Sequence, residues 1–241
     1  MKAGLQLYSV KEEIAKDFIG TLKRVAELGY EGVEFAGYGN LSAAEMKKAL
    51  TDFGLRSIGS HISLERITAH LDEEIAYHLE LGTKYLILPW AEYKTADDVL
   101  KVADALNTAA LGVRGTGLTV GYHNHSQEFA KFDGEYILDT LMKNTSDDVV
   151  FELDVYWAAV ADVDPIAYIK AHKKIQLIHI KELLDYETKK NTDVGSGVLD
   201  FPAIIAAAKA GGANEFIVEQ ERTDGSIWDS VAKGMDYLKT L

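Results

Sequence analysis

The chain has 241 residues, no cysteine and a formal net charge of −13. This length supports a large single core, and the lack of cysteine excludes disulfides and thiolate metal sites, which leads us to expect a reducing cytoplasm. No apolar run approaches the ~20 residues that span a bilayer, and an acidic chain without a Lys/Arg stripe is a poor match for nucleic acid.

Strand-like and helix-like segments alternate along the whole chain. Apolar runs with strand composition are predicted at 3–8, 32–36, 55–60, 84–88, the start of 118–129, 149–154, 175–180 and 215–219. Helices are predicted at 17–28, 42–53, 65–81, 95–113, 134–143, from 164, from 200 and at 226–238. Ser42 with Glu45 forms a capping box, and Asp164 followed by Pro165 is typical of a helix start.

Eight strand–helix units of ~30 residues each predict a (β/α)8 TIM barrel, an α/β fold that we expect to form one domain over residues 1–241. The runs 84–88, 149–154 and 175–180 are almost continuously apolar, as expected of strands covered on both faces. An open doubly wound sheet is the alternative, but no Gly-rich dinucleotide turn follows the first strand.

Ionisable and polar side chains collect where the predicted strands end. In a parallel barrel these carboxyl ends form the active-site face. The candidates are Gln6, Tyr8, Glu34, His61, Trp90, Glu92, His123, His125, Glu128, Glu152, Asp154, His179, Lys181, Glu219 and Glu221. Any one of them alone would most often be structural. So many polar groups at one mouth are costly to bury without a shared purpose.

A mixed set of His, Asp and Glu without Cys suits Mn²⁺, Co²⁺, Zn²⁺ or Mg²⁺. One ligand from each of strands five to eight gives His123, Asp154, His179 and Glu219. Adjacent strands lie ~4.8 Å apart, so these tips can surround a single ion. The alternative is a set of hydrogen-bonded imidazole and carboxylate pairs without metal.

Several segments together resemble the sugar phosphate isomerase/epimerase family, the xylose isomerase-like barrels. They are Gly4-Leu-Gln-Leu-Tyr-Ser, Tyr30-Glu-Gly-Val-Glu34, Tyr122-His-Asn-His, Leu153-Asp154 with Trp157, Ile178-His-Ile-Lys181, Val194-Gly-Ser-Gly-Val-Leu-Asp200 and Val218-Glu219. The resemblance implies one divalent metal, often Mn²⁺, on the same four residues. Epimerases of this family carry a glutamate at the strand-five position that His123 fills here, and the nearest carboxylate is Glu128.

The resemblance favours a metal-dependent sugar isomerase or epimerase that removes a proton next to a ketose carbonyl through a cis-enediolate. The groups expected to carry the chemistry are Glu219, Glu128, His125 and Lys181, and those expected to bind the sugar are Glu34, His61, Trp90 and Trp157. For Lys181 the alternative is a salt bridge with Glu152 or Glu182. For the tryptophans the alternative is plain packing.

Other functions on the same scaffold stay open. They are a lyase, either inosose dehydratase-like or a 3-keto-glycoside eliminase, a nuclease like endonuclease IV, and a non-catalytic sugar-binding barrel. We expect a small sugar or polyol substrate, no nucleic acid and no membrane partner, whereas the oligomeric state is not readable. The loop 193–200, with Gly195 and Gly197, is better interpreted as a segment crossing the mouth than as a phosphate site.

Overall fold

The computed structural model describes residues 1–223 and 225–241. Eight parallel strands close a barrel in chain order. They are β1 (Gly4–Gln6), β2 (Gly32–Phe35), β3 (Arg56–His61), β4 (Tyr85–Leu88), β5 (Thr119–His123), β6 (Val149–Asp154), β7 (Ile175–Ile180) and β8 (Glu215–Val218). β8 pairs with β1 through Gly4 and Ile217, which closes the ring. The predicted TIM barrel is confirmed.

Helices surround the barrel. They are α1 (Lys11–Ile14), α2 (Phe18–Glu27), α3 (Ala43–Phe53), α4 (Leu64–Ala69), α5 (Leu71–Leu81), α6 (Ala96–Gly112), α7 (Ile137–Asn144), α8 (Val155–Val160), α9 (Pro165–Ala171), α10 (Phe201–Gly211) and α11 (Ile227–Lys239). Short 3₁₀ turns cover Leu7–Val10 and Gln127–Phe129. In the described part of the chain, no helix is both long and apolar enough to cross a membrane.

Local capping chemistry explains most helix boundaries. The predicted capping box is present, because the Ser42 side chain accepts the Glu45 amide and the Glu45 carboxylate accepts the Ser42 amide. Gly54 ends the same helix at φ 71°, a left-handed conformation that suits a residue without a Cβ. Asp164 caps α9 with Pro165 in the first turn, as predicted.

The strand predicted at 3–8 ends at Gln6, where a 3₁₀ turn over Leu7–Val10 begins, and the helix α1 that follows was not predicted. Three further differences concern other helices. The helix predicted at 65–81 is two helices, α4 and α5, which meet at His70. The segment 131–136 forms a small hairpin, so the helix predicted from 134 begins at Ile137. Asp133 and Gly134 both have positive φ there, which favours a turn over a helix. Directly after β6 a short helix, α8, was not predicted, and it changes how Asp154 is held.

The barrel interior has an apolar layer below a charged layer. Ile58, Tyr85, Ile87, Val150, Leu177 and Ile217 form a buried cluster separate from the larger core beneath the helices. Side chains two residues apart on a strand share a face. Three strands therefore present to the barrel interior one apolar residue followed, toward the carboxyl end, by two ionisable ones. The sets are Val150, Glu152, Asp154; Leu177, His179, Lys181; and Ile217, Glu219, Glu221. This alternation directs the polar groups to the carboxyl end of the barrel.

Candidate metal centre at the carboxyl end of the barrel

Four buried side chains converge at the carboxyl end of β5 to β8. His123 ends β5, Asp154 ends β6, His179 lies in β7, and Glu219 follows β8 directly. Each offers one ligand atom, and these atoms all lie within 4.8 Å of one another. His179 Nδ1 lies 2.7 Å from Glu219 Oε2, and His123 Nε2 lies 3.8 Å from Asp154 Oδ2. The structure therefore brings the four predicted ligands together, and we call His123, Asp154, His179 and Glu219 the donor set.

The hydrogen-bonding state of these atoms fits a cation. Among the residues that the structure describes, both ring nitrogens of His123 and Oδ2 of Asp154 are buried without a hydrogen-bond partner, whereas Nδ1 of His179 contacts the Glu219 carboxylate. Buried polar atoms are normally paired, because an unpaired one costs about 1–3 kcal/mol. A cation between these nitrogen and oxygen atoms would satisfy them. Imidazole nitrogen together with carboxylate oxygen is a suitable ligand set for Mn²⁺ or Zn²⁺.

Asp154 is held by the helix that follows it. Its Oδ1 accepts the amides of Tyr156 at 2.9 Å and Trp157 at 3.1 Å, which makes it the N-cap of α8. Its own amide donates to Asn124 Oδ1 at 3.1 Å. These contacts fix the carboxylate and leave Oδ2 directed at the other three donors.

A second layer of side chains supports His179 from below. His179 Nε2 lies 2.8 Å from Glu34 Oε2 and 3.2 Å from Glu152 Oε2. His61 Nε2 contacts the same two oxygens, and Gln6 Nε2 donates to Glu34 Oε2 at 2.8 Å. Glu152 therefore orients a candidate ligand. Glu34, predicted to bind sugar, is instead buried beneath the donor set.

Glu34, His61, Glu152 and His179 also lie close enough to one another to hold an ion. We interpret this group as a hydrogen-bonded support for His179 and not as a metal site. His179 Nε2 and His61 Nε2 already contact the carboxylates of Glu34 and Glu152. The close packing at this level depends on Gly59, since a Cβ there would lie 2.8 Å from Glu34 Oε1. A side chain at position 59 would displace the carboxylate.

Electrostatics separate His123 from the two imidazoles that contact Glu34 and Glu152. Burial disfavours charge on His61, but the Glu34 and Glu152 carboxylates outweigh it and raise the pKa of His61 to about 10. The same balance, led by Glu152, raises the pKa of His179. Burial, together with the neighbouring imidazoles, holds the pKa of His123 well below its usual range. His123 is therefore neutral at pH 7, the form that binds a metal.

Lys181 is a fully buried ammonium group above this layer. Its Nζ lies 2.6 Å from Glu221 Oε1, 3.4 Å from Glu219 Oε1 and 3.8 Å from Asp154 Oδ2. Burial alone would lower the pKa of Lys181, but these carboxylates raise it. The alternative salt bridge with Glu152 or Glu182 is absent from the ion pairs of the described residues.

Glu128 is turned away from the donor set. Its Oε1 accepts the Tyr122 hydroxyl at 2.7 Å and Gln127 Nε2 at 2.9 Å, and its Oε2 accepts the His125 amide at 2.7 Å. It is buried and is not among the residues that line the cavity above the donors. Glu128 therefore shapes the turn after β5, and its predicted catalytic role has no support from the lining of the cavity.

A cavity of about 340 Å³ lies over the donor set. Its lining residues are Gln6, Tyr8, Ala36, His61, Pro89, His123, His125, Glu219 and Glu221. His125 faces it with a buried Nδ1 that has no hydrogen-bond partner within the described chain. Trp157 packs with its ring centroid 5.4 Å from that of His125. Trp90 is 53% exposed and does not line the cavity, so its predicted sugar contact is not supported.

Gln6 and Glu221, two strand-end candidates to which the sequence analysis gave no role, line the cavity. Glu221 shares its face with Glu219, so the Glu-x-Glu spacing after β8 was the available signal.

In the loop 193–200 the amide of Gly195 donates to Glu182 Oε2 at 3.2 Å, and the amide of Leu199 donates to Oε1 at 3.1 Å. An internal carboxylate thus takes the amides that a phosphate would need.

Known proteins match the chain over almost its whole length. The model of the family described as xylose isomerase-like TIM barrel matches residues 22–241. Two crystal structures of a sugar phosphate isomerase/epimerase from Parabacteroides distasonis are similar to the chain. One is 29% identical, covers 99% of this chain and 93% of its own, and has a TM-score of 0.88. The other is 30% identical, covers 100% and 98%, and has a TM-score of 0.87.

More distant structures share the fold. The IolI protein with a bound zinc atom is 17% identical over 100% of this chain and 96% of its own, with a TM-score of 0.74. The 3-keto-D-glucoside 4-epimerase YcjR from E. coli is 16% identical over 100% of both chains, also with a TM-score of 0.74. No curated protein sequence matches the chain significantly.

Proposed function

This chain belongs to the xylose isomerase-like TIM barrel family, and from that premise we propose that it is a divalent-metal-dependent sugar isomerase or epimerase. The observation that carries the proposal is the pair of buried, unpartnered ligand groups on His123 and Asp154, with ligand atoms of His179 and Glu219 within 4.8 Å of them. The Parabacteroides relatives bear the description sugar phosphate isomerase/epimerase and cover almost the whole chain, which supports the same chemistry here.

His123, Asp154, His179 and Glu219 would hold the ion, for which Mn²⁺ is our first choice and Zn²⁺, Co²⁺ or Mg²⁺ are alternatives. When bound, a divalent cation polarises a ketose carbonyl and stabilises negative charge next to it. The bound zinc in IolI supports a metal in this fold. Glu152 and Glu34 orient His179 through its Nε2, so that Nδ1 stays directed at the donor set.

The chain itself supplies the proton transfer. Glu219 lines the cavity, and although burial would raise its pKa, Lys181 and His179 hold that pKa well below its usual range. Its carboxylate is therefore ionised and able to take the proton on the carbon next to the carbonyl. His125, which lines the same cavity with an unpartnered Nδ1, would return a proton to the substrate. Lys181 is buried and pairs with Glu219 and Glu221, two residues that line the cavity, so its charge would act on the substrate through these carboxylates.

The first experiment follows hydrogen exchange by NMR in D₂O with the Mn²⁺-loaded protein and a panel of ketohexoses. We expect solvent deuterium at the carbon next to the carbonyl, and we expect Glu219→Gln to reduce its rate at least about 100-fold. Glu92→Gln is the matched control, because Glu92 also follows a strand but pairs with Lys94 outside the donor set. Equal rates for both variants would contradict the assigned base.

A lyase is the second candidate. It is favoured by His125, whose unpartnered Nδ1 is available at the cavity to pass a proton to a leaving group. The same NMR assay separates the two reactions, since release of water or of an aglycone from keto-inositol or a 3-keto-glycoside indicates elimination. Deuterium incorporation without such products indicates an isomerase or epimerase.

We also propose that the protein binds no nucleic acid. The chain carries a net charge of −13 and its mouth is lined by carboxylates, so a phosphodiester backbone would be repelled. A non-catalytic sugar-binding barrel is excluded if the purified protein holds one metal ion per chain and exchanges substrate hydrogen.

A further inference from the structure

A second, larger cavity adjoins the metal cavity. It has a volume of about 660 Å³ and shares two wall residues, Tyr8 and Glu221, with the cavity above the donor set. It lies between the segment that follows β1 and the start of α11, where Ser226 and Trp228 contribute to its wall. The proposed reaction does not use this space.

The two volumes suggest how a ligand would be divided between them. The inner cavity, at about 340 Å³, is roughly eleven times the ~30 Å³ share of one water molecule, which accommodates the reacting hexose ring. The outer cavity is about twice as large. Both volumes are within the range of ligand sites, and together they hold a molecule of two sugar rings.

Tyr8 is the partition between the cavities. Its side chain is 44% exposed, yet its backbone is fixed, because its amide donates to Gln6 Oε1 at 2.9 Å. Lys11 Nζ lies 3.8 Å from the ring centroid and covers one face of the ring. A rigid, partly exposed aromatic ring at the junction gives a ligand apolar contact area at little entropic cost.

The charges of the outer cavity point to a neutral ligand. Lys11 and Arg222 stand beside Glu12, Glu13 and Glu221, so cationic and anionic groups are mixed. This wall lacks the cationic surplus that favours a phosphate, while its donors and acceptors suit hydroxyl groups.

We propose that the outer cavity is a subsite for the second ring of an uncharged glycoside whose first ring reacts in the metal cavity. The preferred substrate is then a two-ring keto-glycoside, which binds more tightly than a free ketose. This inference rests on the proposed function, because that function places the reacting ring over the donor set. It adds a binding site that none of the four candidate ligands forms.

The test compares the affinity of the Mn²⁺-loaded protein for 3-ketoglucose with its affinity for 3-ketocellobiose and 3-ketomaltose, measured by calorimetry. The wild-type chain is expected to bind at least one of the disaccharides about tenfold more tightly than the monosaccharide. Tyr8→Ala is expected to bring this ratio close to one. Ser226→Trp, which fills the outer cavity at a position whose side chain makes no capping hydrogen bond, is expected to do the same.

Tyr186→Ala is the matched control, because Tyr186 is 56% exposed and lines neither cavity. It is expected to keep the wild-type ratio. A wild-type ratio near one for both disaccharides, or a ratio that survives both Tyr8→Ala and Ser226→Trp, would overturn the subsite.

Deuterium incorporation is followed in the same samples, so that two failures can be told apart. Incorporation with equal affinity for one-ring and two-ring ligands would overturn the subsite and leave the proposed function standing. A tenfold affinity ratio with neither incorporation nor elimination in any ligand would overturn the proposed function and leave the subsite standing.

Discussion

At the scale of single residues, Asp154 shows how one carboxylate serves structure and site together. Its Oδ1 accepts two amides at the start of α8, whereas Oδ2 has no partner in the described part of the chain and faces His123. Asp164 caps α9 in a similar way, through the Ile166 amide at 2.8 Å, but lies outside the donor set. A comparison of substitutions at Asp154 and Asp164 therefore distinguishes loss of a helix cap from loss of a metal ligand.

We predict that Asp154→Asn lowers the metal content of the purified protein well below one ion per chain, while Asp164→Asn leaves it unchanged. Asparagine caps a helix about as well as aspartate, so neither change should cost more than about 1 kcal/mol of metal-free stability. Elemental analysis and thermal melts of the metal-free proteins check this. Full metal content in Asp154→Asn would remove Asp154 from the ligand set.

At the scale of elements, the loops that follow β7 and β8 are joined by one side chain. Asn191 Nδ2 donates to the Glu182 carbonyl at 3.0 Å, and Asn191 Oδ1 accepts Gln220 Nε2 at 3.0 Å and the amides of Glu221 and Arg222 at 3.2 Å. These contacts hold Glu221 where it meets Lys181 across the mouth. Asn191 is thus a positioning residue.

We predict that Asn191→Ala lowers kcat/KM at least about tenfold and costs about 1–2 kcal/mol of stability, because several hydrogen bonds lose their partner. Asn107→Ala is the matched control. Asn107 also joins two segments, since it donates to the Asn144 carbonyl at 2.9 Å and accepts the Ser146 amide at 2.7 Å, away from the mouth.

Urea unfolding and the deuterium assay are run on both variants. The control should lose stability and keep its turnover. If Asn191→Ala loses activity only in proportion to the fraction unfolded, as Asn107→Ala would, Asn191 has no positioning role.

At the scale of the whole molecule, a buried polar network connects α4 and α5 to the loop after β2 and to β3. Glu74 pairs with Arg66 and accepts the Tyr38 hydroxyl at 2.7 Å, and Tyr38 also contacts His78 at 2.8 Å and Ser60 at 3.0 Å. Burial would raise the pKa of Glu74, but His78, Tyr38 and Arg66 lower it to about 2.

We predict that this network makes the fold sensitive to acid. A carboxyl whose pKa is lower in the folded state contributes stability above its unfolded pKa, near 4.5, and that contribution is lost as the pH falls toward about 2. Glu74→Gln should remove about 1–3 kcal/mol at pH 7 and flatten the loss of stability between pH 5 and 2. Glu73→Gln is the matched control, because Glu73 also contacts Arg66 but is exposed.

Chemical unfolding at several pH values measures both variants. The control should have the same stability as the wild type at every pH, because solvent screens the exposed Glu73 carboxylate. A Glu74→Gln curve parallel to the wild-type curve between pH 5 and 2 would show that Glu74 does not carry this dependence.

Local rules account for most of what could be predicted about the fold. Strands β6 and β7 lie at the predicted residues, and the caps at Ser42 and Asp164 are where the sequence places them. The misplaced boundaries lie where tertiary contacts or turn conformations override helical periodicity, at His70 and at the hairpin 131–136. Helix α8 was missed because only six residues follow the Asp154 cap.

The sequence by itself determined the barrel and the depth of its charged layer, because a period of two places Glu152, His179 and Glu219 one step beyond an apolar residue on the same inward face. Only the tertiary structure decided which charged groups meet. It placed Glu34 under His179, gave Glu128 to Tyr122, and joined Lys181 to Glu221. These pairings depend on distances between strands and on side-chain rotamers, which no spacing along one strand contains.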